Sequence, residues 1–387
     1  MPNTIILAAG PNGLGVVRSL HLKGVRCQII TRSKEDISHQ SRIPTVKMYI
    51  NGNTEEEQHQ WLLETLLSQA NGTVLIPTSD WFVTFLTEYS AQLKRTCSFI
   101  IPDDTIAEVL IDKAKETAVV AKVIPTPKTV QNILSATQLL KDLSLPIIIK
   151  PRSHKHMVLG CKNITLVTNE DIEQFFIRFS SKLSNLIAQE IIPGKDKQQW
   201  VCNCFFDENS EMTQAFTFNR LRLSPSHYGV TSYARSAYNE KVIKLSEKLG
   251  KALKYTGPAM VEFKQDINDG IYKYIEINPR LGMCNFFDTS CGINNSYSTY
   301  LLATGQKLPK AEKMQSDVMF MSFYEDLFSR LSDGESLMAI LKEYTSNFIK
   351  KRHVFIYFVW WDMKPASALL LKQLFSFISS KLNNMIR

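Results

Sequence analysis

Apolar and polar positions divide the chain into two textures. Up to about residue 103, apolar runs at 4–8, 74–77 and 99–102 and a further strand-like segment at 25–30 alternate with helical stretches at 16–23 and 81–93. Runs apolar on both faces suit strands buried inside a parallel sheet, so this part reads as an α/β domain. Beyond it the pattern loosens. Residues 104–121 form a charged helical stretch with Asp112-Lys113 in its middle, and Pro125-Thr126-Pro127 then breaks the chain. A helix at 135–143, a strand at 145–151 ending in a lysine, a loop at 152–163, a strand at 164–167, a helix at 171–182 and a strand at 186–192 follow. Strands at 200–206 and 212–220 flank a polar turn, and 239–253 is an amphipathic helix with Val242, Leu245, Leu249 and Leu253 on one side. Helices continue to about 302. Beyond Pro309 the chain reads as a helical appendage, with 354–361 as a strand or buried helix, and no internal repeat is visible.

The stretch 255–282 carries the most chemistry. It reads as two strands joined by Asn268-Asp269-Gly270, a three-residue hairpin loop with glycine where positive φ is needed. A loop centred on Asp269 sets Glu262 directly opposite Glu276, with Asn278 on the same face two residues on. Like charges facing each other across a ladder destabilise a sheet unless something positive lies between them. Two carboxylates and an amide oxygen on one rigid face are hard oxygen ligands suited to Mg²⁺, with Mn²⁺ as an alternative. Arg280 keeps a permanent cation beside that face, where a phosphate would be held. The competing reading is a solvated strand face, and the register together with the adjoining Asn278-Pro279-Arg280 weighs against it.

Composition adds limits. The chain has 387 residues, 44% hydrophobic and 21% charged, the proportions of an ordinary globular protein of two or three domains. The net charge of +8 is spread along the chain without a run of five basic residues, which disfavours nucleic acid and fits anionic small molecules. Seven cysteines without disulfide spacing, Cys202-x-Cys204 among them, point to a reducing, cytoplasmic compartment. No signal peptide is recognised at the N-terminus, and the run at 354–361 is too short to span a bilayer.

Glycines 10, 13 and 15 follow the first strand but miss the dinucleotide spacing, and Thr31-Arg32 stand where a ribose-binding acid would follow the second. A glycine set that lets a helix pack closely on the sheet is the simpler reading. Asp80, after a strand of this domain, lies where such sheets bind ligands, or else caps the next helix. Arg220-Leu-Arg222 places two guanidiniums on one strand face, fit for a carboxylate or phosphate or for neighbouring acids, with His227, Tyr228 and Gly229 close behind. His154-x-His156 lacks a third ligand for zinc.

The ordered pieces Ile76-Pro77-Thr78-Ser79-Asp80, Ile147-Ile148-Ile149-Lys150-Pro151, Gln189-Glu190-Ile191-Ile192-Pro193-Gly194 and Ile275-Glu276-Ile277-Asn278-Pro279-Arg280 resemble the ATP-grasp superfamily. Within it the chain is most similar to carboxylate–amine ligases of the D-aspartate ligase type, and more distantly to the carbamoyl phosphate synthase large subunit. The resemblance implies a Rossmann-like pre-ATP-grasp α/β domain at 1–104, an ATP-grasp domain at 105–308 with α+β lobes at about 105–186 and 187–308, and a C-terminal appendage at 309–387. It implies ATP between the lobes, with Lys150 and Lys113 on its phosphates, Gln189, Glu190, Ile191 and Ile192 along the adenine, and Asp196 on the ribose. The basic loop at 152–163, with one glycine, would close over the triphosphate. Glu262, Glu276 and Asn278 would hold the metal, and Lys150 and Arg280 would stabilise the transferring phosphoryl group. Arg220, Arg222, His227 and Asp80 remain as substrate-side residues. The implied activity is amide formation through an acylphosphate from small-molecule carboxylate and amine substrates, without nucleic acid or membrane, and it allows a homodimer. A non-catalytic ATP-binding relative and a nucleotide-dependent α/β enzyme of another class are the alternatives.

Overall fold

The computed structural model describes residues 3–153, 158–161, 163–227, 229–310 and 312–373. The expectations that rest on His154, His156 and Tyr228 therefore lie outside the described residues. Five parallel strands, β1 (Thr4–Ala8), β2 (Gln28–Thr31), β3 (Lys47–Tyr49), β4 (Thr73–Pro77) and β5 (Cys97–Phe99), form a sheet of order β3-β2-β1-β4-β5. Ile5, Ile6 and Leu7 in its centre are fully buried, as their unbroken apolar run requires. The order reverses between β1 and β4, the place where ligands bind in such sheets.

The helix after β1 starts at Gly10, earlier than the periodicity predicts, so Gly13 and Gly15 lie inside it. A side chain at position 13 would overlap Ala8, and one at position 15 would overlap Asn285. These glycines are used for close packing. The amide of Gly10 donates to Asp36 Oδ2 at 2.6 Å, so a carboxylate already sits where a dinucleotide phosphate would lie.

Four antiparallel strands, β6 (Thr129–Val130), β7 (Ile147–Pro151), β8 (Ile164–Leu166) and β9 (Leu186–Glu190), form a second sheet of order β6-β9-β7-β8. Before it, the stretch expected as one helix breaks into Asp104–Ile111 and Lys113–Val120. The cause is Asp112, whose extended backbone and carboxylate cap the second helix through the amides of Ala114 and Lys115. The break puts Lys113 at a helix start, its amide donating to the Arg152 carbonyl at 2.7 Å.

The third sheet has seven strands in the order β14-β13-β10-β11-β12-β15-β16. They are β10 (Gln199–Phe206), β11 (Met212–Ser224), β12 (Val230–Ser236), β13 (Gly257–Gln265), β14 (Tyr272–Asn278), β15 (Met319–Met321) and β16 (His353–Phe355). The amphipathic helix Glu240–Leu253 packs Val242, Leu249 and Leu253 against it. Residues beyond 309 do not stand apart as a helical unit, because β15 and β16 extend this sheet. Of the run 354–361, only its first residues join a strand.

One buried contact ties the chain's two ends. Arg18, fully buried, donates Nε to Asp362 Oδ2 at 3.1 Å and its other nitrogens to the carbonyls of Ile356 and Tyr357, both at 2.9 Å. Among the described residues no helix is long and apolar enough to cross a membrane.

Candidate active site

The hairpin of β13 and β14 brings Glu262 opposite Glu276 and Met260 opposite Asn278, the register the sequence predicts. The route to it differs. The amide of Asp266 bonds the Ile271 carbonyl, which leaves a four-residue loop rather than three, and near the tip Gln265 faces Tyr272. A bulge on β14 between the partners of Glu262 and Phe263 then restores the expected pairing. Loop and bulge offset each other by one residue.

The facing carboxylates are tolerated because cations already flank them. Arg220 grips both oxygens of Glu262, at 2.5 and 2.6 Å, and donates Nε to Thr231 at 2.9 Å and Nη1 to Gln199 at 3.2 Å. Burial penalises this guanidinium, but Glu262 more than compensates and holds it charged above its ordinary pKa. Lys113 Nζ stands 3.9 Å from Glu276 and 2.8 Å from Glu116. Burial pulls the Lys113 ammonium down, yet Glu116 and Glu276 together raise it. Tyr274 donates its hydroxyl to buried Glu116, which fixes that brace from behind.

A metal on this face would meet Glu276, Asn278 and the lone pairs of Glu262 that Arg220 leaves over. Asn278 Nδ2 donates to Glu276 Oε1 at 3.2 Å and its Oδ1 accepts from Arg280 at 3.2 Å, so the amide oxygen already faces the cationic side. Among the described residues no group of three or more His, Cys, Asp or Glu could hold a metal ion. Two carboxylates and an amide are an incomplete shell. Such a shell fits Mg²⁺, which keeps waters and takes phosphate oxygens in its remaining positions.

Two cavities meet at these residues. One, of about 170 Å³, lies between the four-stranded and seven-stranded sheets. Lys150, Gln189, Glu190, Ile191 and Ile192 line it from the small sheet's side, and Leu223, Lys264 and Ile275 from the large sheet. Lys150 Nζ donates to Gln189 Oε1 at 2.8 Å, and Gln189 Nε2 in turn to Thr129 Oγ1 at 2.9 Å. The second cavity, about 600 Å³, takes Pro11, Asn12 and Asp80 from the parallel sheet's ligand-binding end and Arg280 from the hairpin. Arg220, Gly229, Glu262 and Glu276 line both. Gly229 is required there, since a side chain would overlap the Ser224 backbone.

Other expected residues fall nearby or apart. Lys113 lines a small neighbouring cavity with Asp80, Ser153 and Asn278 rather than the slot between the sheets. Asp196 is not among the slot's lining residues; its carboxylate accepts from His227, which does line it, at 3.3 and 3.4 Å. Asp80 opens the helix Asp80–Glu88, but Ser79 caps it, and Asp80 itself pairs with Arg280. The pairing of Arg220 with Arg222 on one face fails. A bulge at Leu221 breaks the alternation, and Arg222 turns away to Asp326, at 2.8 Å through two nitrogens, and to Glu343 at 3.1 Å. Gln199, Lys264, Glu325 and Tyr357 were not singled out from sequence. Lys264, two residues beyond Glu262 on one strand face, was within reach of the alternation argument.

A slot between an antiparallel four-stranded sheet and a larger sheet, opening onto paired carboxylates, is the arrangement expected of the ATP-grasp fold, and the chain has that fold. Its homologues include D-aspartate ligase of Enterococcus faecium (strain Aus0004), 26% identical over 312 residues, which cover 75% of this chain and 74% of that protein. Among solved structures, N5-carboxyaminoimidazole synthetase from Staphylococcus aureus, complexed with ADP, superposes with a TM-score of 0.64 at 15% identity, covering 86% of each chain. Biotin carboxylase from Campylobacter jejuni, in a complex with β,γ-ATP, gives a TM-score of 0.64 at 16% identity over 82% of this chain and 74% of that one. No protein-family model matches the chain.

Proposed function

We propose that this chain is an ATP-dependent carboxylate–amine ligase that activates a small acid as its acylphosphate, with an acidic amino acid akin to its relative's aspartate as the acid. The observation that carries the reading is that the slot and the larger cavity share Arg220, Glu262 and Glu276, so a phosphoryl donor in one can reach an acceptor in the other.

In this reading ATP lies in the slot. Lys150 donates to its phosphates, the backbone from Gln189 to Ile192 meets the base edge, and Ile148, Ile192 and Ile275 cover the base faces. Glu276, Asn278 and Glu262 would hold Mg²⁺, which when bound neutralises charge on the phosphates. Arg280 faces the transferring group and stabilises its equatorial oxygens. A carboxylate oxygen of the acid attacks the γ-phosphorus, ADP leaves, and a mixed anhydride forms. The amine then attacks the acyl carbon, phosphate leaves with the bonding pair, and the nitrogen gives up a proton to water. The free, mostly buried cysteines suit the reducing cytoplasm in which we place the enzyme.

The test is turnover with hydroxylamine across a panel of amino acids and small carboxylates. The expected product is a hydroxamate that requires ATP and Mg²⁺ and forms alongside ADP. A stable phosphate ester would make the chain a kinase, and AMP with pyrophosphate would mean adenylation. Either would overturn the acylphosphate.

A further inference from the structure

The larger cavity carries a carboxylate that the reaction above leaves unused. Three of its four acids have cationic neighbours: Glu262 is held by Arg220, Asp80 by Arg280, and Glu276 stands beside Lys113. Glu325 does not. It follows β15 in the first turn of the helix Phe323–Ser332, and its partners are two hydroxyls. Ser322 donates to its Oε2 at 2.6 Å and Tyr357 to its Oε1 at 3.2 Å. Among the described residues no lysine, arginine or histidine pairs with it. The next residue, Asp326, turns to the other side and takes Arg222, so the local basic residue is already engaged.

Glu325 is also well placed. Glu276 and Asn278 stand on β14 at one edge of the seven-stranded sheet, whereas Ser322, Glu325 and Tyr357 follow β15 and β16 at the other, and all line the same cavity. The positive groups needed for phosphate and for a substrate carboxylate therefore cluster at one end. A half-buried carboxylate with hydrogen-bond donors fixing its orientation is left at the other. Tyr357 is itself held through its carbonyl by Arg18.

We propose that Glu325, oriented by Ser322 and Tyr357, is the subsite for the ammonium group of the amino acid whose carboxylate is activated. The inference rests on the ligase reading and names a specificity residue within it. A carboxylate lowers the energy of a neighbouring ammonium and keeps it protonated, whereas the attacking amine must be neutral. Glu325 therefore suits the spectator ammonium of the acid rather than the nucleophile. Charge-assisted hydrogen bonds of this kind are worth a factor of about 10 to 150 in affinity.

The experiment compares the best acid of the hydroxamate panel with its analogue lacking the amino group, succinate if that acid is aspartate. Glu325→Gln keeps the shape and removes the charge; Tyr357→Phe removes one orienting bond. The expected result is a KM for the amino acid at least about 10-fold higher in Glu325→Gln, with much less change for the analogue, so that the preference collapses. Tyr357→Phe should shift the same ratio in the same direction by less. A purely structural Glu325, acting on its helix, would lower the melting temperature and leave the ratio alone, and that result would overturn the assignment. So would a best acid that has no amino group. Absence of hydroxamate from every acid with the unsubstituted protein would instead sink the ligase reading itself.

Discussion

Arg280 and Asp80, 200 residues apart in the chain, meet in a two-pronged ion pair, with Nε 2.8 Å and Nη2 3.0 Å from the two carboxylate oxygens. The pair joins the end of β14 to the start of a helix in the parallel-sheet domain, and both residues line the larger cavity. Asp80 thus reads as the residue that aims Arg280, rather than as a free binder of substrate.

Asp80→Asn is expected to lower ADP formation while leaving stability nearly unchanged. The Asp80 side chain is 51% exposed, and pairs this open to water contribute at most about 1 kcal/mol. Arg280→Ala should cut turnover more deeply, because it removes the charge as well as its aim. Steady-state ADP release and thermal melts on the two variants check the ranking. Full activity in Asp80→Asn would detach the aim of Arg280 from catalysis.

Glu276→Gln should reduce turnover by roughly 100-fold or more at ordinary Mg²⁺, since it removes a negative charge from the proposed metal shell. The fold should survive, because the structural bonds of this face run mainly through Glu262 and Arg220. Titrating Mg²⁺ should recover part of the loss. Turnover with unaltered Mg²⁺ dependence would remove Glu276 from the metal site.

Lys150→Ala is expected to weaken nucleotide binding by about 10-fold or more, the loss of one charge-assisted bond. Gln189 would lose its donor too, but keeps Thr129. Calorimetry with ADP reads the change directly, and an unchanged affinity would return Lys150 to a purely structural bond with Gln189.

Arg18→Ala should destabilise the chain by about 3–5 kcal/mol, because Asp362 would be left charged and buried without its partner. Adding Asp362→Ala should restore part of that loss, which equilibrium denaturation of the single and double variants would show.

What the sequence disclosed depended on how local the cause was. The apolar runs of β1, β4 and β7 reveal buried strands because their pattern is set by burial alone. Edge strand β3 and the helix Glu55–Leu67 carry no such signal: one is three residues long, and the other mixes acids and glutamines among its leucines. Bulges were invisible. The bulge on β14 restored a register argued from the wrong loop, while the one at Leu221 separated Arg220 from Arg222, and alternation cannot distinguish these cases. Asp112 was legible as a cap only in hindsight, since an aspartate in a charged stretch also suits a helix surface. Glu325 and Tyr357 reach the cavity solely because β15 and β16 join the large sheet, a pairing that no local pattern encodes.

The contact between Arg18 and Asp362 also has a temporal side. The two residues are separated by 344 positions. At synthesis rates of about 5–20 residues per second, Arg18 therefore waits roughly 17 to 70 s on the ribosome for its counter-ion. Throughout that interval the helix carrying it has an open seam, and the parallel sheet is not yet a finished folding unit. The slot proposed for nucleotide needs nothing beyond Glu276, whereas the neighbouring cavity waits for Tyr357. Growing chains are thus expected to gain the capacity to bind nucleotide before they can select an acid, and stalled chains ending short of Tyr357 would display the first without the second.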